Sequence, residues 1–382
     1  MDDICIVGIG ETQPTRVSDK TVDLLVLDAI DAAIEDAGLS RADIDGVVSD
    51  GIYGPRAISP QRVAAHLGKA DMWTGGRSVG GAAIMSAPAL AAEAIRAGRA
   101  NTVVFYFGMD GGSRKGGPSS NHNRFQAKAY FEKPYGFTGQ PIYFAPWARR
   151  YFSVFPGGER ALATIATSAS HNAHLTGRAQ RPDLLSEEDY WNGPMIADPL
   201  RLRDCCVISD GAGAYILTTS ARARNCRKHP VKVLASTLAT PPYAGDDVFT
   251  QYGDMLSLPG AKEAAREAFA VSGLAPRHIS FAEIYDCFTI SCLLQLEDLG
   301  FCEKGEGADF ASEEHIGRNG NLPINTHGGF LAYSYLLGIE HVVEATRQLR
   351  GEAGPSQIAN AEIGLVSGLS MPDYGVMLLA RD

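Results

Sequence analysis

The chain lacks the features that mark several protein classes. It has no run of about 18 apolar residues, so no transmembrane helix is expected. Lys and Arg (34) are outnumbered by Asp and Glu (44), which gives a net charge of −10, and no basic stripe interrupts that balance. Phosphate neutralisation needs clustered cations, so a nucleic-acid binder is not expected either. The start, Met1-Asp2-Asp3-Ile4-Cys5, carries no basic leader region and no cleavage site, and predicts no signal peptide. There are seven cysteines but no CxxC pair. Cys205 and Cys206 are neighbours, which cannot readily bridge or share a metal. Reduced, mostly buried thiols in a cytoplasmic protein are expected, with no metal site. No cysteine stands between Cys5 and Cys205.

What is present is globular: 382 residues, 45% hydrophobic and 20% charged, enough for two core-forming units. Ile4 to Gly10 reads as a buried strand. Thr21 to Gly38 reads as a helix with Gly38 beyond its end. Ile44 to Asp50 is a second apolar run. The glycine-rich loop Gly75 to Gly81 opens into Ala82 to Ala97, a helix apolar nearly all round and so expected inside the protein. Asn101 to Gly108 and Ala212 to Thr218 read as strands, and Ala161 to Gly177 as a helix. Gly111 to Ser120 reads as a loop. The segment Asn121 to Tyr151 is rich in aromatics and reads as an insertion over the core, a lid or an acyl pocket.

Features of the first half recur in the second. Ala37 to Ile44 resembles Ser272 to Ile279, each between an Ala/Glu-rich helix and a strand, with Gly38 and Gly273 235 residues apart. Gly80-Gly81 and Gly328-Gly329 recur, as do Ala100 to Val104 and Ala361 to Leu365. This ordered recurrence predicts a duplicated α/β unit: an N-terminal half over 1–225, with an insertion over about 111–200, and a C-terminal half over 226–382. Ligands are expected at loop ends beyond the strands, where the two Gly-Gly loops would meet. The stretch Asn325-Thr326-His327-Gly328-Gly329, followed by Phe330, Tyr333 and Tyr335, is one such loop, leading to a helix over Glu340 to Leu349. His327 is a candidate to donate to a substrate oxygen or to tune a tyrosine. His171, Asn172 and His174 form a polar cluster suited to a helix surface. Asp204 and Asp210 are expected to order loops. Arg201 and Arg203 are expected to be structural, with a ligand phosphate as their other use.

Asp198 to Ala214, Glu283 to Thr289 and the Asn325 to Gly338 loop are similar to segments of the thiolase superfamily, specifically its sterol-carrier-protein-type thiolases and lipid-transfer proteins. The resemblance spans nearly the whole chain. It implies a five-layer αβαβα fold, an acyl-CoA substrate with coenzyme A as carrier and no covalently bound cofactor, and a homodimer built along the first-half sheet. Thiolases place a nucleophilic cysteine at the start of the buried helix, where the helix N-terminus lowers the thiol pKa and offers N–H groups to an oxyanion. Here that motif reads Ser78-Val79-Gly80-Gly81, and Ser78 is expected to cap the helix. The family's two further positions, usually histidine or asparagine and histidine, read Tyr285 and, counted from Gly328-Gly329, Tyr335. The last, a Cys-x-Gly, falls at Ser367-Gly368-Leu369-Ser370.

The nucleophile and acid/base positions have therefore all changed. Two tyrosines suit a retro-aldol cleavage. One takes the β-hydroxyl proton, and the other stabilises the enolate and returns a proton to carbon. The resemblance is nearest to the thiolase-like aldolases of steroid side-chain degradation, which work with a small OB-fold, zinc-ribbon partner. It implies a lyase acting on a β-hydroxyacyl-CoA with a bulky sterol-like or aryl group. Tyr285, Tyr335 and His327 are its catalytic candidates, and Ser78, Gly328, Gly329 and Gly368 its oxyanion and substrate-binding candidates. Tyr333 is the alternative to Tyr335. A thiolase-type acyltransferase and a non-catalytic acyl-CoA-binding subunit are the rival readings.

Overall fold

A computed structural model describes residues 4–50, 58–114, 128–137, 139–242 and 253–382. The Gly/Ser loop beyond Arg114 and the start of the aromatic segment, including Phe125, lie outside the described residues. The strands are β1 (Ile4–Glu11), β2 (Gly46–Ser49), β3 (Trp73–Gly76), β4 (Thr102–Asp110), the short hairpin β5 (Met195–Ala197) and β6 (Leu200–Arg201), then β7 (Asp210–Thr219), β8 (Val231–Ala239), β9 (Phe281–Glu283), β10 (Ile363–Ser370) and β11 (Asp373–Arg381). The helices used below are α1 (Val22–Ala37), α2 (Gly80–Arg96), α3 (Gln140–Val154), α4 (Gly158–Thr176), α5 (Ala261–Ser272), α6 (Thr289–Asp298), α7 (Gly329–Ala332) and α8 (Ile339–Arg350).

The duplication is visible in the pairing. In the first half β2 runs parallel to β4, β4 antiparallel to β7, and β7 antiparallel to β1. In the second half β9 runs parallel to β10, β10 antiparallel to β11, and β11 antiparallel to β8. Even β3 beside β2 has a counterpart in the parallel bridge between Ala282 and Ile324. The two halves join where β1 pairs with β8 through Cys5 and Ile6, giving the order β3-β2-β4-β7-β1-β8-β11-β10-β9.

Helix placement follows from side-chain pattern. α1 buries Leu25, Ala29, Ile30, Ala33 and Ala37 against the first-half strands and ends at Gly38, whose φ of 70° suits glycine. α5 does the same for β8 and β11. α2, small and apolar on almost every face, packs against strands of both halves, as does α8. Two outer helix layers, two sheet halves and a central helix pair make the expected five layers.

One correspondence shifts. The topological partner of α2 is α8, which starts at Gly338-Ile339 and not at Gly328-Gly329. Gly328 and Gly329 open only the single turn α7. The helix itself was expected over Glu340 to Leu349, one residue from its observed start; the Gly-Gly pairing fails because Leu337, at φ 60°, and Gly338, at φ 102°, break the chain between Gly328-Gly329 and α8. The inserted aromatic segment divides by depth. Tyr143, Phe144, Trp147 and Tyr151 of α3 are core residues, while Tyr130, Phe131 and Tyr135 are exposed.

Candidate active site

β9 ends at Glu283, and the next residues leave the sheet carrying Tyr285. Its backbone is fixed from three directions. Tyr285 N donates to Ser367 Oγ at 2.9 Å, and Tyr285 O accepts from Gln295 Nε2 at 2.8 Å and from Ser291 Oγ at 3.2 Å. Gln295 Oε1 in turn accepts from Ser367 Oγ (2.7 Å) and Tyr374 Oη (2.6 Å). Gln295, Ser367 and Tyr374 are fully buried, and such a satisfied network holds one geometry.

The opposite wall is the 325–337 loop. Asn325 pairs with the backbone of Ile284 through Oδ1 (2.6 Å) and Nδ2 (3.0 Å). Asn172 of α4 donates to the carbonyls of Ile324 and Asn325, both at 3.1 Å. Asp286 accepts from Phe330 N at 2.8 Å and Leu331 N at 3.4 Å. Gly329 has φ 59°, and a Cβ there would stand 2.1 Å from Asp286 Oδ2, so only glycine fits. A Cβ on Gly328 would strike Ala173 of α4 at 2.6 Å. Both glycines thus let the loop seat between α4 and Asp286.

This scaffold brings Tyr285 Oη and Tyr335 Oη to 2.9 Å, with the two rings edge to face. Phe330 packs edge-on against both rings, at 4.7 and 5.0 Å. Tyr335 N is held by Ser209 Oγ at 3.0 Å. Tyr333 points elsewhere: its hydroxyl donates to Glu11 Oε1 at 2.6 Å, and burial, then the Glu11 carboxylate, push its phenol well above the usual range. The geometry therefore selects Tyr335 over Tyr333 as the partner of Tyr285.

The N-terminus of α2 adjoins the pair. A Cβ on Gly81 would lie 2.5 Å from Tyr285 Cε2, and one on Gly368 would lie 2.2 Å from Gly81 O. Gly368 thus lets β10 approach α2, and the helix's positive end comes up to the Tyr285 ring. Ser78 is not the helix cap: Val79 holds that position, with no side-chain cap hydrogen bond, and Ser78 is exposed. The helix starts one residue later than a Ser78 cap requires, because Val79, at φ −128° and ψ 35°, lies outside helical geometry and Gly80, at φ 52°, turns the chain into the helix.

His327 is set apart from the tyrosine pair. It is 1% exposed, and its ring packs against Tyr333 at 4.7 Å and His341 at 5.1 Å. Burial, with the neighbouring His341, pushes its imidazole down to about 3, so it is neutral. Its Nδ1 lies 3.1 Å from Glu283 Oε2. Burial pushes the Glu283 carboxyl up to about 7. Burial opposes the charge on His341, but the hydrogen bond and field of Asp286 carry its pKa above the ordinary value.

Other singled-out residues have local tasks. Asp204 accepts from Tyr190 Oη, Thr289 Oγ1 and Arg201 N, and Asp210 from the backbone of Ser18, Gly112 and Ser113, so both order loops. Arg201 stands over the Trp191 ring at 5.1 Å. The His171–His174 cluster divides, with Asn172 buried at the site loop and His174 bonded to Pro182 O on the surface. Reasoning from sequence missed Asp286, Gln295, Asn325 and Ser367, which hold both tyrosine segments. Their polar side chains carry no spacing signal. Asp286, Asn325 and Ser367 stood inside singled-out segments but without a role, and Gln295 stood in none.

A description of the family "Thiolase C-terminal domain-like" matches residues 245–379. The chain is 34% identical over 383 residues, 98% of each chain, to the 17-hydroxy-3-oxo-4-pregnene-20-carboxyl-CoA lyase of Mycobacterium tuberculosis. This chain belongs to the thiolase superfamily. Within that superfamily it is also 32% identical over 385 residues, 98% of this chain and 97% of the relative, to the steroid side-chain-cleaving aldolase of Thermomonospora curvata. Among solved structures, a chain of the Ltp2-ChsH2(DUF35) aldolase superposes with a TM-score of 0.88 at 30% identity, covering 100% of this chain and 98% of that one. The thiolase-like fold and the tyrosine pair thus occur in a chain whose full-length relatives are named as lyases and aldolases.

Proposed function

We propose that this thiolase-superfamily member is a carbon–carbon lyase that cleaves a β-hydroxyacyl-CoA by retro-aldol chemistry. The observation that carries the reading is the 2.9 Å contact between the Tyr285 and Tyr335 hydroxyls beside the N-terminus of α2. A phenolate at one of the two accepts a hydrogen bond from the other, which favours its charged form. It takes the proton of the substrate β-hydroxyl. The Cα–Cβ bond breaks as the β-oxygen becomes a carbonyl, and the electron pair passes to the thioester enolate. The second tyrosine and the helix N-terminus stabilise the enolate oxygen, and a tyrosine proton returns to Cα. The products are a ketone or aldehyde and a shorter acyl-CoA. Gly81 and Gly368 act here by letting α2 reach the site, and His327 by supporting the wall behind Phe330.

A cysteine acyl-enzyme finds no support. Burial pushes Cys205, Cys287 and Cys302 up to about 12, and Cys206 and Cys292 well above the usual thiol range. Raised thiols of this kind, buried at Cys287 and Cys292 and half-buried at Cys205, Cys206 and Cys302, are poor nucleophiles. The names of the full-length relatives favour a bulky sterol-like acyl group. The Ltp2-ChsH2(DUF35) likeness favours a DUF35-type partner, and the family resemblance favours an OB-fold, zinc-ribbon build for it and a homodimer of this chain.

The test is turnover of 3-hydroxyacyl-CoA substrates with the partner present. Tyr285→Phe and Tyr335→Phe are each expected to lower kcat by about 10²–10⁴-fold, the usual range for a general acid or base. Near-wild-type turnover in both variants would overturn the assignment.

A further inference from the structure

Behind the tyrosine pair, three metal-ligating side chains from separate elements converge. Glu283 ends β9, His327 lies on the loop, and His341 sits in the first turn of α8. A carboxylate oxygen and two ring nitrogens from these residues lie within 4.8 Å of one another. The three side chains are at most 1% exposed.

The far atoms of two of them are already engaged. Glu283 Oε1 accepts from Thr326 N (3.1 Å) and Thr326 Oγ1 (2.7 Å). His341 Nε2 lies 3.0 Å from Ile284 O and 3.4 Å from Asp286 Oδ1, which assigns the Nε2–H to that side. The near atoms are open. Among the described residues, Glu283 Oε2, His341 Nδ1 and both nitrogens of His327 have no hydrogen-bond partner. His327 Nδ1 and Glu283 Oε2 are 3.1 Å apart without hydrogen-bond alignment.

So many unpaired polar atoms in one buried place are costly. The surroundings are also rich in carboxyl groups, although burial raises Glu283 and Glu340 to about 7. Asp286, Glu340 and Glu344 act on the two imidazoles in addition to Glu283. Arg178, 3.7 Å from Glu344 Oε2, is a cation at the edge of this group. Two imidazoles and a carboxylate are a zinc-type donor set. An imidazole whose other nitrogen donates to a carbonyl or carboxylate is the usual outer-shell arrangement of a metal ligand.

We propose that Glu283, His327 and His341 hold one divalent cation of the zinc class as a structural tie between β9, the site loop and α8. Tetrahedral zinc spaces its donors by about 3.4 Å, so modest side-chain rotations bring these three into place, and a water takes the fourth position. The tie reaches the tyrosines through one residue: Phe330 stacks on His341 at 4.2 Å and meets Tyr285 and Tyr335 edge-on. The cation is a positioning device and makes no contact with substrate in this scheme.

The chain is to be produced in zinc-supplemented culture without a zinc-bearing partner, and its metal content measured by mass spectrometry. About one zinc per chain is expected to survive gel filtration. After stripping with chelator in partial denaturant and refolding, Co²⁺ is expected to give stoichiometric visible absorption that Zn²⁺ abolishes. His327→Ala and Glu283→Gln are expected to weaken Co²⁺ binding by at least about 100-fold, and Thr326→Val by about 10–100-fold, as for an outer-shell partner. Wild-type chain that neither carries metal nor takes up Co²⁺ or Zn²⁺ stoichiometrically overturns the proposal, whether or not the variants fold. So does full binding by His327→Ala, which would place the ion elsewhere. In that case the cluster is a buried Glu–His pair held by protons alone.

Discussion

Tyr333 and Tyr335 are two positions apart on one loop, yet their hydroxyls go to opposite places. Tyr333 reaches Glu11 and Tyr335 reaches Tyr285. The single turn α7 and the backbone bond from Tyr335 N to Ser209 Oγ set that division. On the other side of the pair, Gln295 is the residue on which the Tyr285 backbone depends. Gln295→Leu keeps the volume but removes the acceptor of Ser367 and Tyr374 and the donor to Tyr285 O. It is expected to cost about 2–4 kcal/mol of stability and to lower kcat more than it raises KM, measured by urea melts and steady-state kinetics. Unchanged kcat in a folded variant would show that the network does not position Tyr285. At this scale the sequence was partly legible. Tyr285 and Tyr335 stood out because they occupy positions where thiolases keep other acid/base groups. Gln295 could not, because its partners at 285, 367 and 374 meet only in the fold. Glu283, His327 and His341 likewise have no ligand spacing along the chain.

The central helices were legible to different degrees. α2 announced its burial by being apolar on nearly every side. α8 reads as an ordinary amphipathic helix, but its polar face is buried too, with Glu340, His341, Glu344 and Gln348 at most 1% exposed. That face binds the site loop: Gln348 Nε2 donates to Thr326 Oγ1 at 3.0 Å, and Leu336 N donates to Glu340. A polar helical face looks the same in sequence whether water or a polar loop covers it. The contact between α2 and β10 is tighter still. Gly368→Ala puts a methyl 2.2 Å from Gly81 O and must push the start of α2 away. Overpacking of this kind costs about 1–3 kcal/mol. Because Gly81 touches the Tyr285 ring, we expect kcat to fall by more than about tenfold, beyond what the change in Tm accounts for. A variant with lowered Tm and intact kcat would separate the close approach from catalysis.

Across the whole molecule, the duplication was legible because helix–Gly–Leu–strand recurs 235 residues apart, the spacing also found between β2 at Gly46 and β9 at Phe281. What joins the halves was not legible. The shared ladder between β1 and β8 is only two residues long. A second tie is electrostatic: Glu11, ending β1, accepts from Arg347 of α8 at 2.8 Å and from Tyr333, with Arg178 at 3.6 Å. Burial alone would raise the Glu11 pKa, but Arg347, Tyr333 and Arg178 together bring it below the ordinary value. A carboxyl depressed on folding stabilises the fold above its unfolded pKa near 4.5, and that contribution is lost as pH falls through the folded value. Stability at fixed protein concentration should therefore decline as pH drops below about 4.5. Glu11→Gln removes the charge at every pH, leaves Arg347 poorly paired in a mostly buried setting, and is expected to cost about 3 kcal/mol at neutral pH. The decisive measurement is the difference between wild-type and variant unfolding free energies across the acid range. It should shrink as pH falls, because protonation removes from the wild type what the substitution has already removed. A difference that stays constant from pH 7 to pH 3 would mean that Glu11 acts through packing, and that the halves are held together by apolar contact with the central helices instead.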